Sequence, residues 1–174
     1  PTPVATLVYY GRTAWGLETC WKDYEIYVDD GAKPVATGSF ARGHGPQPVQ
    51  LPVGTKARRL TLTFLTHHSE KGSPGASEVQ IFDAAPAPGD LIGTFSALEN
   101  VAPRATVTAS SEHSPKYAAA GVADNKFPVS SSKQDEGQAW AAAGAEHPDG
   151  VALTFTWPAP TPVATLVYYA RSAW

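Results

Sequence analysis

The sequence predicts an all-β sandwich, and three observations lead to that fold class. Sixteen prolines, fifteen glycines and no methionine indicate many short extended segments joined by turns. Three segments alternate apolar with polar residues, as strands with one buried face do. Only KYAAAGVADN at 116–125 looks helical, over about two turns. The 174 residues are enough for one core and too few for two typical domains.

Alternation is strict in DYEIYV at 23–28, RRLTLTFL at 58–65 and VALTFTW at 151–157. In the second of these segments the apolar residues are Leu and Phe, and the residues between them are Thr. One face of each strand is therefore expected to be buried. Shorter strands, bounded by Gly, Pro, Asp and Asn as a sandwich requires, are predicted at 4–10, 48–51, 78–82 and 104–109.

Charge and composition exclude several classes of function. Thirteen basic and sixteen acidic residues give a net charge of -3, without the basic, aromatic-lined surface that binds nucleic acid. No apolar run approaches the roughly 20 residues of a membrane span, and the first residues do not resemble a signal peptide. The single cysteine, Cys20, leaves no internal disulfide framework. We expect neither nucleic acid nor membrane as partner; a bacterial extracytoplasmic location is compatible.

A segment at the start of the chain recurs at its end. Residues 1–15 and 160–174 are identical at thirteen of fifteen positions and are offset by 159 residues. This duplication predicts that residues 1–90 are the back part of one repeat, 91–98 a linker, and 98–174 the front part of the next. Together they would form one permuted sandwich module. One copy of the strand is then surplus: it is disordered, edge-paired, or swapped into another molecule to give an oligomer.

Read with the front part first, the chain carries an ordered series of motifs. They are ENVAPRATVTASS at 99–111, the pair Ala123-Asp124, Trp140, YEI at 24–26 with Asp30-Gly31, and finally Glu78. In this order the chain resembles the discoidin family, also called the coagulation factor V/VIII type C or galactose-binding-like domain. The sugar-binding bacterial members include carbohydrate-binding module family 32. The resemblance implies an eight-stranded jelly roll with a calcium ion near one end and a ligand site in end loops.

The resemblance also implies which residues hold calcium. Asp124 and Glu78 would be the carboxylates, with Asn125 and a hydroxyl from Ser130 or Ser131 nearby, which suits the all-oxygen ligation of Ca²⁺. The chain departs from the family pattern because Asn125 stands where Gly is usual, and the following segment KFPVSSSKQDEGQ is longer. Asn tolerates the left-handed turn conformation. The alternative is that Asp124 and Glu78 only cap turns.

The ligand site is predicted in the loop YYGRTAWGLETCWK at 9–22. A sugar site needs a flat aromatic face for the C–H patch of a pyranose and planar donors for hydroxyls or a carboxylate. Trp15 would supply the face, Arg12 the donors, and Glu18 an acceptor. In the alternative, Trp15 closes the end of the sandwich and Arg12 pairs with a neighbouring carboxylate.

Three histidines are further ligand candidates. His67 and His68 lie in THHSEKGSPGAS, a connection that often contributes to the ligand site in the family. Adjacent residues of an extended chain point to opposite sides, so both rings cannot easily bind one metal, and a zinc site is not expected. His44 in GHGPQP is a third donor candidate, with a solvated loop residue as its alternative.

Other distinctive residues are predicted to be structural. Trp21, Trp140 and Trp157 adjoin strand patterns and are expected in the core, and Cys20 is expected to be a buried small hydrophobe. Asp29 and Asp30 fit a turn before Gly31. No nucleophile elbow, metalloprotease helix or phosphate-binding loop occurs.

The sequence therefore predicts a non-catalytic carbohydrate-binding module of a larger secreted or surface-bound bacterial protein. Its ligand would be a polysaccharide or glycan, with a galactose-like or acidic sugar suited to Arg12 and the histidines. Two rival functions are a protein-binding adhesion or assembly module with a Trp15 hot spot, and a structural spacer without ligand.

Overall fold

The computed structural model describes residues 8–10, 20–42, 47–68, 73–83, 99–126, 135–144, 147 and 149–169. These residues form an all-β sandwich, as predicted. The strands in chain order are β1 Val8–Tyr10, β2 Asp23–Val28, β3 Ala36–Ser39, β4 Gln47–Gln50, β5 Lys56–Phe64, β6 Gly75–Ala76, β7 Glu78–Phe82, β8 Thr106–Ala109, β9 Trp140–Ala141, β10 Val151–Pro162 and β11 Thr165–Tyr169.

The larger sheet has five strands in the order β3-β2-β5-β10-β8, and all its neighbours are antiparallel. The predicted alternation is realised at its centre, where Leu62 of β5 pairs with Leu153 of β10 and both are fully buried. The next pair, Thr61 and Thr154, lies on the opposite face, because successive residues of a strand alternate. The sheet thus presents an apolar face to the core and a threonine-rich face outward.

The second sheet has the order β1-β11-β7. Strand β11 runs antiparallel to β7 and parallel to β1, and β4 lies beside both β1 and β11. Strand β1 belongs to the first copy of the duplicated segment and β11 to the second. The surplus strand is therefore paired at the edge of the sheet, next to its own copy.

The core is centred on aromatic rings from both sheets. Phe64 of β5 stacks on Trp21 at 4.9 Å between ring centroids and meets Tyr168 of β11 at 5.3 Å. Trp140 lies 6.1 Å from Phe64 on a third side. The predicted burial of Trp21, Trp140 and Trp157 is confirmed, and so is that of Cys20. Strand β5 pairs with β10, and strand β7 pairs with β11. Strands from the first and the second half of the chain therefore enclose one core.

Two local predictions were wrong or incomplete. The segment KYAAAGVADN forms separate 3₁₀ turns at Pro115–Tyr117 and Ala119–Val122, because Ala118 between them is extended with φ -71° and ψ 152°. Strand β3, ATGS, was missed because it lacks apolar alternation. Strand β3 lies at the edge of its sheet and is mostly exposed, so it has no apolar face to bury and its sequence does not alternate.

Short strands β6 and β9 also lie outside the predicted set, although Trp140 was expected in the core. Gly75 of β6 is paired with Ala141, and a Cβ on Gly75 would overlap the carbonyl oxygen of Trp140. Only glycine allows this close backbone approach. Asp29 and Asp30 lie in the turn after β2, as predicted, and Asp29 has φ 52°.

The predicted linker at 91–98 lies outside the described residues, and the division into repeats stays a prediction. Within the described ranges, no helix has the length and apolar character needed to cross a membrane.

Candidate functional site

Glu78 is a buried carboxyl group at one end of the three-stranded sheet β1-β11-β7. It is the first residue of β7, pairs with Tyr169 of β11, and is fully inaccessible to solvent. Its Oε1 accepts a hydrogen bond from the backbone N–H of Asn125 at 3.2 Å. Its Oε2 has no hydrogen-bond partner among the described residues. Burying a carboxylate oxygen without a hydrogen bond is costly, and this cost favours the protonated form of the side chain.

Burial raises the pKa of Glu78 to about 9, and the nearby charge of Asp124 adds to the rise. The backbone N–H groups of Asn125 and Asp124 oppose it by donating to the carboxylate. In this environment the side chain holds a proton at neutral pH. A cation beside it would favour the ionised form instead.

Asp124 and Asn125 form the turn that faces Glu78. Asn125 has φ 58°, the left-handed conformation that Asn tolerates better than most residues. The carboxylate of Asp124 accepts from the backbone N–H of Lys126 at 2.8 Å and from the Lys126 ammonium at 3.0 Å. The turn therefore delivers backbone donors to Glu78 while Lys126 balances the charge of Asp124.

Asn100 ties this turn to β7, although the sequence does not predict it as a site residue. Its Oδ1 accepts from the backbone N–H groups of Ile81 and Ala102, both at 3.1 Å. Its Nδ2 donates to the Oδ1 of Asn125 at 2.8 Å. We call Glu78, Asn100, Asp124 and Asn125 the carboxylate cluster. The only sequence signal for Asn100 was its place in the family-like motif, which assigns no role to it.

Replacing Asn100 by Ala is expected to lower the free energy of unfolding by about 1–3 kcal/mol, because buried N–H groups lose their acceptor. The adjacent Glu99→Ala variant is the control: Glu99 is largely exposed and pairs with Arg104 at the surface, so a change within about 0.5 kcal/mol is expected. Urea unfolding curves measure both. Equal midpoints for the two variants would contradict the bridging role of Asn100.

The carboxylate cluster contains oxygen atoms of the kind that a calcium ion binds. The free oxygen of Glu78, the carboxylate of Asp124 and the amide oxygen of Asn125 are hard ligands of the kind Ca²⁺ prefers. Ser130, the fourth predicted ligand, lies outside the described residues. Within the described ranges, no group of three or more His, Cys, Asp or Glu side chains is placed to hold a metal. Backbone carbonyls and hydroxyls would have to complete the set.

Four predicted ligand residues, Arg12, Trp15, Glu18 and His44, lie outside the described part of the chain. The structure does describe the residues that follow the predicted loop of Arg12, Trp15 and Glu18. The backbone N–H of Lys22 donates to Thr66 O at 2.7 Å, and that of His68 donates to Cys20 O at 2.9 Å. Residues 20–22 therefore run beside 66–68, which continues the pairing of β2 with β5.

His67 and His68 are half-buried at this junction. His67 pairs with Trp21 along the backbone and meets its ring edge-on at 5.9 Å. The Nε2 of His68 lies 3.0 Å from the carbonyl oxygen of Phe40. The two rings thus have different partners.

Asp23 is a further polar residue near this junction. The sequence pattern predicts it only as the first residue of a strand. Its two carboxylate oxygens accept from the hydroxyls of Ser39 and Thr66, each at 2.5 Å. The Ser39 bond, followed by the Thr66 bond, lowers the pKa of Asp23. The carboxylate is about one-third exposed, and its partner Thr66 directly precedes His67 in the chain. It is an ionised, oriented acceptor.

Comparison with known proteins gives no match: neither a protein-family model, nor a curated protein, nor a solved structure is similar to this chain.

Proposed function

We propose that this chain is a non-catalytic carbohydrate-binding module of a larger extracytoplasmic bacterial protein. The observation that carries the proposal is the backbone pairing of residues 20–22 with 66–68. Glu18 is two residues before Cys20 in the sequence, so the loop with Arg12 and Trp15 would end close to the histidine segment. The predicted aromatic face and the predicted donors would then share one region of the fold.

The chemistry at this anchoring point suits a sugar. Asp23 is a fixed acceptor for a sugar hydroxyl, and His67 and His68 carry ring nitrogens that donate or accept. Trp15 would supply the flat surface for the C–H patch of a pyranose, while Arg12 and Glu18 would bind hydroxyl groups from its edge. Arg12 with the histidines favours a galactose-like or an acidic sugar.

Calcium is proposed as a structural ion of the same module. Glu78, Asp124, Asn125 and Ser130 would hold it, and its charge would stabilise the Glu78 carboxylate within an apolar setting. Lys126 is largely exposed, so a divalent cation would compete with its ammonium for Asp124. The unpartnered oxygen of Glu78 supports this assignment.

A module of this kind would act by concentrating its parent protein on a polysaccharide. Repeated weak sites add avidity when several modules engage one surface at once. The duplicated segment 1–15 and 160–174 supports a parent with tandem repeats.

The test is a glycan-array screen in calcium and in chelator, comparing the wild-type protein with its Trp15→Ala and Trp174→Ala variants. Trp174 is the equivalent of Trp15 in the second copy, but only the Trp15 loop leads into residues 20–22 beside the histidines. We expect Trp15→Ala to weaken sugar binding by about tenfold or more, as loss of a central aromatic contact does, and Trp174→Ala to leave it unchanged.

Equal binding by all three proteins would exclude Trp15 from the site. A silent array together with saturable capture of a protein partner would replace the proposal by an adhesion or assembly module. Silence in both assays would leave the spacer function.

A further inference from the structure

Described residues from both copies of the duplicated segment lie side by side in the three-stranded sheet β1-β11-β7. Strands β1 and β11 are parallel, with Val8 opposite Val167, Tyr9 opposite Tyr168, and Tyr10 opposite Tyr169. Each of these pairs is separated by 159 residues, which is also the offset of the duplication. Every paired residue therefore lies opposite its own copy.

Strand β11 occupies the inner of the two positions, which we call the β7 slot. All five residues Thr165–Tyr169 pair with β7. Leu166 and Tyr168 are fully buried, and Tyr168 packs on Phe64 and Phe40 at 5.3 and 6.1 Å. Val163 and Ala164, which precede the strand, are also fully buried. The slot thus holds a seven-residue apolar segment, VATLVYY.

The first copy matches this segment completely, because residues 1–10 and 160–169 are identical. Neighbouring strands of a sheet are about 4.8 Å apart. Since Val8–Tyr10 and Val167–Tyr169 share direction and register, a sideways move by one strand would superpose these residues on their own copies without reversal or slippage. Each side chain that enters the core would be replaced by the same side chain, so the packing of the slot would be conserved.

We propose that the β7 slot is a binding site for either copy, and that residues 4–10 replace residues 163–169 in a second conformer of this protein. The order of the strands is compatible with this exchange: the first copy precedes β2 in the chain and the second follows β10, and both β2 and β10 belong to the five-stranded sheet. The inference does not depend on carbohydrate binding.

The exchange would change which part of the chain follows the strand that occupies the β7 slot. That strand ends with Tyr169 opposite Glu78 of the carboxylate cluster. When the second copy occupies the slot, the chain continues as ARSAW; when the first does, it continues as GRTAWGLE. The latter segment carries Arg12, Trp15 and Glu18 and leads on into β2.

Charge substitutions in the full chain test whether one copy substitutes for the other. Leu166→Asp places a carboxylate in the buried slot, and Leu7→Asp makes the matched change in the first copy. We expect each single variant to keep a cooperative thermal transition within a few degrees of the wild type, because the unmodified copy fills the slot. The double variant is expected to lose that transition. If Leu166→Asp alone is as damaging as the double variant, the proposal is overturned.

Cross-linking locates the first copy directly. In a Cys20→Ala background, Gln80→Cys is combined either with Val167→Cys or with Val8→Cys. Gln80 pairs with Val167, so that bridge is expected to form. Val8 lies one strand further away, at roughly 10 Å from Gln80, beyond the about 7 Å that a disulfide spans.

A bridge between residues 8 and 80 therefore reports the exchange. We expect it to form under mild oxidation and to increase when Leu166→Asp is added. If that bridge connects two chains, the first copy fills the slot of a second molecule, which also supports the proposal and gives a strand-swapped oligomer. If no 8–80 bridge forms in a folded Leu166→Asp chain, the proposal is overturned.

Discussion

In chelator, the wild-type protein is expected to lose stability steadily as the pH rises from about 5 to about 9, whereas its Glu78→Gln variant is expected to have a much flatter profile. The folded-state pKa of Glu78 is about 9, against an ordinary value of 4.5 for a glutamate. Between these values the folded protein holds a proton that the unfolded chain releases. Stability is therefore greatest below the unfolded pKa and falls as the pH approaches the folded one.

The size of the effect is set by proton linkage. One proton released on unfolding changes the unfolding equilibrium constant by about tenfold per pH unit, so the change across this range is comparable with a large part of the stability of a small domain. Unfolding midpoints in urea at several pH values measure it. Glu136→Gln, a change at an exposed carboxylate paired with Lys116, should keep the wild-type profile. Parallel profiles for wild type and Glu78→Gln would refute the buried-carboxyl assignment.

Calcium is expected to restore the stability lost at pH 8. A ligand at one hundred times its dissociation constant adds about 2.7 kcal/mol to the free energy of unfolding. The Glu78→Gln variant should gain little, because it lacks the central carboxylate. Magnesium at the same concentration is the control for charge screening, since it demands a smaller octahedral site. An equal rise with both ions, or an undiminished rise in Glu78→Gln, would count against a calcium site at the carboxylate cluster.

Replacing Trp140 by Ala is expected to lower the free energy of unfolding by about 3–5 kcal/mol. The side chain is fully buried and stacks on Phe64 and Trp21, at 6.1 and 6.5 Å. Its Nε1 also donates to the carbonyl oxygen of Ser111 at 2.9 Å, which ties β9 to the segment after β8. The substitution removes packing on both rings and this hydrogen bond together.

Trp140→Phe separates the two contributions. It keeps an aromatic ring against Phe64 and Trp21 but leaves the Ser111 carbonyl without its donor. We expect a cost of about 1–3 kcal/mol, clearly below that of Trp140→Ala, in the same urea experiment. A loss under about 1 kcal/mol for Trp140→Ala would show that Trp140 is not part of a closely packed core.

The fold class could be predicted because the central strands carry their own pattern. From Leu60 to Phe64 in β5 and from Val151 to Trp157 in β10, every second residue is a large apolar one, and that period matches the alternation of a strand whatever its partners are. Strand β3 carries no such pattern because it lies at a sheet edge with little to bury. The 116–125 segment has the alanine content of a helix, yet its chain breaks into 3₁₀ turns at Ala118. Local composition does not encode that break.

The candidate site was only partly predictable. Glu78 and Asn125 are 47 residues apart and hydrogen-bonded, and no spacing rule links them; the family resemblance did. The role of Asn100 depends on three separate contacts, which appear only when β7 and the turn at Asn125 are in place. Asp23 acquires its low pKa from Ser39 and Thr66, which lie elsewhere in the chain. Such a network forms only when the sheet is assembled.

The pairing of β1 with β11 gives this protein a structural reason to aggregate. Identical segments stacked parallel and in register are the arrangement of cross-β fibrils. VATLVYY contains no charge, proline or glycine, and within the described residues β1 pairs on one side only. The other edge of Val8–Tyr10 offers these three residues as a pairing template to a third copy, and then to a fourth. A chain that repeats this segment therefore carries the first step of a fibril inside its native sheet.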